Sequence, residues 1–318
     1  MRESIETREL IELDGPDGVI RGTYHKPSDE RLRSYSDRVD RDRIGVIFLN
    51  PWYPTRAWKG DSAVYWAVSF AECGYPSFRL DLPGCGDSEG DLPSELADFI
   101  NRGGYASLAA AQIKEITKRY NLSGVVIMGL CAGAVSAIFA ASVSLECKGL
   151  VLMDPLFNLP EAPRSDRREK FATFASKHAL SRMIRRAYHR VLATRLRLLS
   201  NQLPRNSNFP LLKRWNELNS AGMPMLVLES RKVRGGEFDY VRYNLERSDY
   251  NSRVSAKLIE GAYHTFTDDR GRMAVRQHTE VWLKTYFPLS KKQEVPASAV
   301  SSHARQKESC LRRELPSL

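Results

Sequence analysis

Residues 124–141 read Gly124-Val125-Val126-Ile127-Met128-Gly129-Leu130-Cys131-Ala132-Gly133-Ala134-Val135-Ser136-Ala137-Ile138-Phe139-Ala140-Ala141. Val125 to Met128 is a short, β-branched apolar run, the pattern of a fully buried strand. From Cys131 onward the residues become small and Ala-rich, the composition of a helix packed closely on a sheet. Between the two lies a G-x-C-x-G turn. A residue forced into a sharp strand-to-helix turn projects its side chain over the sheet. Glycines are needed on either side where the two backbones leave no room for a Cβ. The projected residue is Cys131, and the partial positive charge at the start of the helix favours its thiolate. A structural cysteine buried in a Gly-rich joint is the plainer alternative, and the rest of the chain lowers its weight.

Outward from this stretch, apolar runs alternate with helical periodicity. Thr7 to Leu13 and Val19 to Tyr24 read as an antiparallel edge hairpin across the Asp14-Gly15-Pro16-Asp17-Gly18 turn. Ile44 to Leu49, Pro76 to Leu80, Gly149 to Met153, Met225 to Leu228 and Ala256 to Ile259 read as buried strands. Asp61 to Cys73, a long helix from Ala97 to Tyr120, and Met273 to Tyr286 read as helices. Strands apolar throughout and separated by helices predict an α/β fold with a mostly parallel sheet covered on both faces, with the hairpin as an antiparallel N-terminal edge. Ligands in such sheets bind beyond the carboxyl ends of the strands. Cys131, Asp154 and His264 all lie just past strand ends, hence on one side.

The rhythm breaks between Asp154 and Met225. Glu161 to Leu203 reads as basic helix, and an insertion there would sit over the site as a cap. The expected organisation is a core of residues 1–156 and 221–288, a basic helical cap of 157–220, and a polar tail of 289–318 expected to be disordered.

The charged first residues contain no apolar h-region, so no signal peptide is expected, and no run of 18 apolar residues predicts a membrane span. The five cysteines (Cys73, Cys85, Cys131, Cys147, Cys310) show no paired or metal-ligand spacing. Reduced thiols, a cytoplasmic location and no cofactor or metal are therefore expected.

Asp81…Gly84-Cys85-Gly86-Asp87-Ser88, the G-x-C-x-G turn and Gly261-Ala262-Tyr263-His264, in that order, resemble the α/β-hydrolase fold over about Ile44 to Tyr286. More narrowly, Phe78-Arg79-Leu80-Asp81…Gly86-Asp87-Ser88-Glu89-Gly90 with Gly129-Leu130-Cys131 resembles the hydrolases associated with bacterial exosortase systems. Dienelactone hydrolases and polyhydroxyalkanoate synthases are similar in using a cysteine nucleophile on this fold. The resemblance implies Cys131 as nucleophile and His264 as general base. It also implies an oxyanion hole from the N–H of Ala132 and one from the loop after Leu49, where Pro51 has none and Trp52 is the choice. The acid departs from the family pattern: Glu229-Ser230-Arg231-Lys232-Val233 stands where an Asp is usual. Asp154, at a known alternative place, and Asp239 rank equally, with Glu237 behind.

Between Glu161 and Glu217 there are 14 Lys and Arg against four acids, an excess of ten that equals the net charge of the whole chain. Such a patch concentrates anionic partners, which include acidic acyl carrier proteins and coenzyme A thioesters; a solvated helix face explains it equally well. No aromatic interleaving accompanies the charge, so nucleic acid is not an expected partner, while contact with an anionic membrane surface stays open. The leading expectation is an acyl hydrolase or acyltransferase, thioesterase-like, acting on an ester or thioester through acyl-Cys131. A small-molecule carboxylesterase or lactonase is the second, and a non-catalytic scaffold on the same fold the third.

Overall fold

Strands that are apolar along their whole length can be buried only between two layers of helices. That is the arrangement in the computed structural model, which describes residues 8–27, 43–51, 55–159, 206–230 and 253–289. The chain runs β1 (Arg8–Gly15), β2 (Gly18–His25), β3 (Ile44–Leu49), α1 (Ser62–Glu72), β4 (Ser77–Leu80), α2 (Leu96–Asn101), α3 (Ala106–Arg119), β5 (Gly124–Leu130) and α4 (Ala132–Ala141). It continues β6 (Cys147–Met153), α5 (Phe209–Ser220), β7 (Met225–Ser230), β8 (Val254–Ile259) and α6 (Asp269–Tyr286).

The eight strands form one sheet in the order β1-β2-β4-β3-β5-β6-β7-β8. The hairpin β1–β2 is antiparallel, β2 joins β4 antiparallel, and β4 through β8 are parallel. Because side chains alternate across a strand, Ile47, Ile127 and Leu150 face one helical layer with Ile113, Ile138 and Trp215. Phe48, Met128 and Val151 face the other with Trp66, Phe70, Trp282 and Leu283. The expected fold class is the one observed.

Three expected elements differ. The single helix of Ala97 to Tyr120 is two, α2 and α3. The break falls at Gly103, where φ is +76° and a Cβ would lie 2.7 Å from the Phe139 ring of α4. Periodicity continues across the break because both pieces cover the same face. Helix α6 begins a turn earlier than Met273, at Asp269, because the Asp268 carboxylate accepts the Gly271 N–H at 2.8 Å. Phe209–Ser220, read as part of the 157–220 cap, belongs instead to the core layer as α5. Phe209, Leu211, Leu212, Trp215 and Leu218 are buried, and Trp215 meets Phe157 edge-on at 5.3 Å. Asn208 starts this helix by accepting the Leu211 N–H and donating to Asn101 O. The charge of Lys213 and Arg214 sits on the outer face and obscured that apolar stripe in the sequence.

Residues 161–203, expected as basic helix, and the tail from 290 lie outside the described residues. Among the described residues no helix is long and apolar enough to cross a membrane.

Candidate active site

Cys131 stands at the joint of β5 and α4 with φ +54° and ψ −113°, a backbone that non-glycine residues rarely adopt. Three features hold it there. Its N–H donates to Met153 O at 2.8 Å, and its carbonyl accepts from Ala134 and Val135 in the first turn of α4. A Cβ on Gly133 would lie 2.5 Å from Leu49 O and 2.8 Å from Asn50 O, and one on Gly129 would strike the Gly133 carbonyl. The glycines therefore let α4 come down onto the ends of β3 and β5. Cys131 is left half-buried with a free thiol. The N–H of Ala132 opens the helix, where intrahelical acceptors run out.

The residues expected as general base and acid, His264 and Asp154, come from strand tips on the same side. His264 follows β8, and its Nδ1 lies 2.8 Å from Asp154 Oδ2. Asp154 follows β6 with φ +42° and a side chain that is 1% exposed. The hydrogen bond to Asp154, then that to Cys131, raises the His264 imidazole to about 10 against the opposing effect of burial. His264 is thus an imidazolium at neutral pH, held between the Asp154 carboxylate and the Cys131 sulfur.

Of the residues expected from the sequence, Cys131, His264 and Asp154 meet, with Ala132 beside them. Trp52, Asp239 and Glu237 lie outside the described residues. His25 is elsewhere: it is buried, and its Nε2 accepts from Arg79 Nε at 2.9 Å. Burial, then the Arg79 charge, pushes it down to about 3, so it is a neutral acceptor.

Two sets of partners were not anticipated. Ser230, the last residue of β7, donates its N–H to Asp154 Oδ1 at 2.7 Å and its hydroxyl to Oδ2 at 2.6 Å. Neither spacing nor composition announces this, because it depends on β7 lying between β6 and β8. Beneath the loop after β3, the fully buried Asp81 is paired with Arg56, whose guanidinium also meets Asp87 at 2.7 Å and Thr23 Oγ1 at 2.9 Å. The Gly84–Ser88 loop folds back on the same carboxylate through the Asp87 N–H at 3.2 Å, and Ser88 Oγ donates to Asp81 O at 2.9 Å. The sequence motif around Asp81 is therefore a buried ionic tie that fixes two loops at the mouth of the sheet. Among the described residues, no group of three or more His, Cys, Asp or Glu side chains is arranged to hold a metal ion.

Residues 43–286 match the family model described as the alpha/beta hydrolase family. No curated protein matches the chain at a significant level. Among solved structures, an esterase of Pyrococcus furiosus, Pf2001, superposes with a TM-score of 0.57 at 13% identity, covering 89% of this chain and 93% of its own. XC6422 from Xanthomonas campestris, described as a serine hydrolase without lid, superposes with a TM-score of 0.53 at 14% identity, covering 89% of this chain and 96% of its own. At such identities these likenesses concern the fold alone.

Proposed function

The chain belongs to the alpha/beta hydrolase family, and from that premise we propose that it is a cysteine-nucleophile acyl hydrolase or acyltransferase, thioesterase-like, acting on an ester or thioester. Within the family we assign it, on its Gly129-Leu130-Cys131 and Phe78–Gly90 motifs, to the branch associated with exosortase systems. One observation carries the reading. An elbow cysteine at the end of β5 interacts with an imidazole whose Nδ1 lies 2.8 Å from a buried carboxylate.

In the first half-reaction the Cys131 sulfur, its proton on His264, attacks the acyl carbon, and the carbonyl electron pair moves to oxygen. The oxyanion is met by the N–H of Ala132 and, in this proposal, that of Trp52. Collapse breaks the bond to the leaving thiolate or alkoxide, and His264 gives it the proton. The acyl group is left on Cys131 and His264 is neutral. In the second half-reaction His264 removes a proton from water or an acceptor nucleophile as that group attacks the thioester. Collapse then expels the Cys131 thiolate and restores the imidazolium. Asp154 holds Nδ1–H throughout, so that the other ring nitrogen faces the sulfur.

The excess of ten positive charges between Glu161 and Glu217 favours an anionic acyl donor, an acyl group on an acidic carrier protein or on coenzyme A. A free-thiol mechanism suits a reducing compartment, and we place the chain in the cytoplasm.

The test is intact mass after incubation with acyl thioesters of graded chain length, beside Cys131→Ala. A gain equal to one acyl group, absent in Cys131→Ala, is the expected result. No adduct and no turnover with any thioester or p-nitrophenyl ester, with His264→Ala indistinguishable from the parent, would overturn the reading and leave a non-catalytic scaffold.

A further inference from the structure

The sheet order poses a geometric problem for an acid on β6. Strand β7 lies between β6 and β8, and neighbouring strands are about 4.8 Å apart. The Asp154 carboxylate must therefore pass over the end of β7 to reach a histidine that follows β8. The register puts one residue in that path. Met153 pairs with Leu228, and Ser230 pairs with Ile259. Ser230 is thus the last β7 residue between the tip carrying Asp154 and the tip leading to His264.

Resting on the reading of Cys131, His264 and Asp154 as a catalytic unit, we propose that Ser230 is a positioning residue that locks the Asp154 carboxylate across β7 in the orientation His264 needs. Its backbone N–H binds Oδ1 at 2.7 Å and its hydroxyl binds Oδ2 at 2.6 Å. Two donors from one residue, one on each oxygen, fix rotation about the Cβ–Cγ bond of Asp154. The hydroxyl falls on the same oxygen that faces His264 Nδ1 at 2.8 Å. Remove the hydroxyl and only Oδ1 remains anchored, so Oδ2 is free to swing from the imidazole. The residue must also be short. Ser230 is 3% exposed and fills the gap over which the carboxylate passes, and a longer side chain would occupy the path. Asp154 itself sits at φ +42°, a backbone sparsely populated by non-glycine residues, and the paired bonds from Ser230 help to hold it there.

The experiment compares wild type, Ser230→Ala and Ser230→Thr by three readouts: thermal unfolding, the rate of adduct formation from acetyl-coenzyme A and p-nitrophenyl acetate by intact mass, and the His264 Nδ1 proton in low-field NMR. Ser230→Ala is expected to remain folded and to acylate about 10-fold to 100-fold more slowly, the size of one hydrogen bond to a charged group. Its effect should fall on kcat, with KM unchanged. Its Nδ1 proton signal is expected to vanish into exchange, and Ser230→Thr, which keeps the hydroxyl, should restore both signal and rate. A folded Ser230→Ala with wild-type acylation and an unaltered Nδ1 proton overturns the proposal while leaving the cysteine mechanism standing. If wild type itself acylates with neither donor, the catalytic reading falters and the proton signal alone decides the role of Ser230: persistence in Ser230→Ala overturns it.

Discussion

Replacing Asp154 by Asn keeps the volume of the side chain and removes its charge, and the hydrogen bonds around it dictate the outcome. Oδ1 accepts the Ser230 N–H, a backbone donor that cannot turn away, so the amide oxygen must occupy that site. The amide NH2 then stands at Oδ2, facing Ser230 Oγ and His264 Nδ1. Ser230 can rotate and accept. His264 can accept only by moving its proton to the other ring nitrogen, which leaves a neutral imidazole with N–H directed at Cys131. That is the wrong tautomer for taking the thiol proton. Loss of the Asp154 bond, the largest support for the imidazolium, lowers His264 from about 10 toward its ordinary 6.5. At pH 8 these values correspond to about 99% and about 3% imidazolium. Acylation at pH 8 is expected to fall by about 10²–10⁴-fold, or about 3–5 kcal/mol in the barrier. The assays are an NMR titration of His264 and single-turnover acylation across pH 5–11. In wild type, activity that depends on the imidazolium as proton donor should hold as pH rises and decline near pH 10. In Asp154→Asn the residual activity should decline near pH 6.5. A variant that keeps its imidazolium at pH 9, or that acylates at the wild-type rate, would refute the assignment of Asp154 and turn attention to Asp239 and Glu237.

Gly133→Ala tests the elbow without touching a reacting atom. Its Cβ would lie 2.5 Å from Leu49 O, where ordinary contact begins at 3.4 Å, so the end of β3 must retreat by about 0.9 Å. Overpacking of this kind costs about 1–3 kcal/mol, so the melting temperature should drop by about 3–10 °C; an unchanged melt would mean that the joint is looser than its geometry. Charge on the 161–217 segment predicts a salt dependence: kcat/KM for acyl-coenzyme A or a carrier-bound acyl group should fall at least about 10-fold between 0.01 and 1 M salt, where the screening length shrinks from about 30 to about 3 Å. A neutral p-nitrophenyl ester should change little, and parallel salt curves for the two donors would remove the anionic-partner proposal.

What was legible in the sequence was local. A strand buried on both faces must be apolar at every position, so β3, β5, β6 and β7 could be read from their own residues. The elbow announces itself because the close approach of α4 to β3 forces glycine at 129 and 133. His264 stood out because a Gly-rich turn follows the last strand. Charge misled where it shared a segment with burial: Trp215 and Leu211 are fully buried in a stretch that the count of Lys and Arg made look like cap. The break between α2 and α3 was illegible for another reason. Gly103 is required by Phe139, a residue on a helix that comes later in the chain and meets it only in the folded state.

The acid shows most clearly what no spacing rule could settle. A carboxylate serves His264 if it reaches Nδ1, whichever strand it leaves, so the choice between Asp154 and Asp239 is a question of which strand tips are neighbours. Asp154 reaches it only across β7, along two registers, Met153 with Leu228 and Ser230 with Ile259, both set by pairing across the sheet, whereas Asp239 lies outside the described residues. Once they are known, a local signature does emerge. An Asp immediately after one parallel strand, together with a small hydroxyl residue ending the next, is what a displaced acid needs in order to cross the intervening strand. That pair, Asp154 and Ser230, was present in the sequence from the start; its meaning lay in the sheet order that sets β7, which Ser230 ends, between Asp154 and His264.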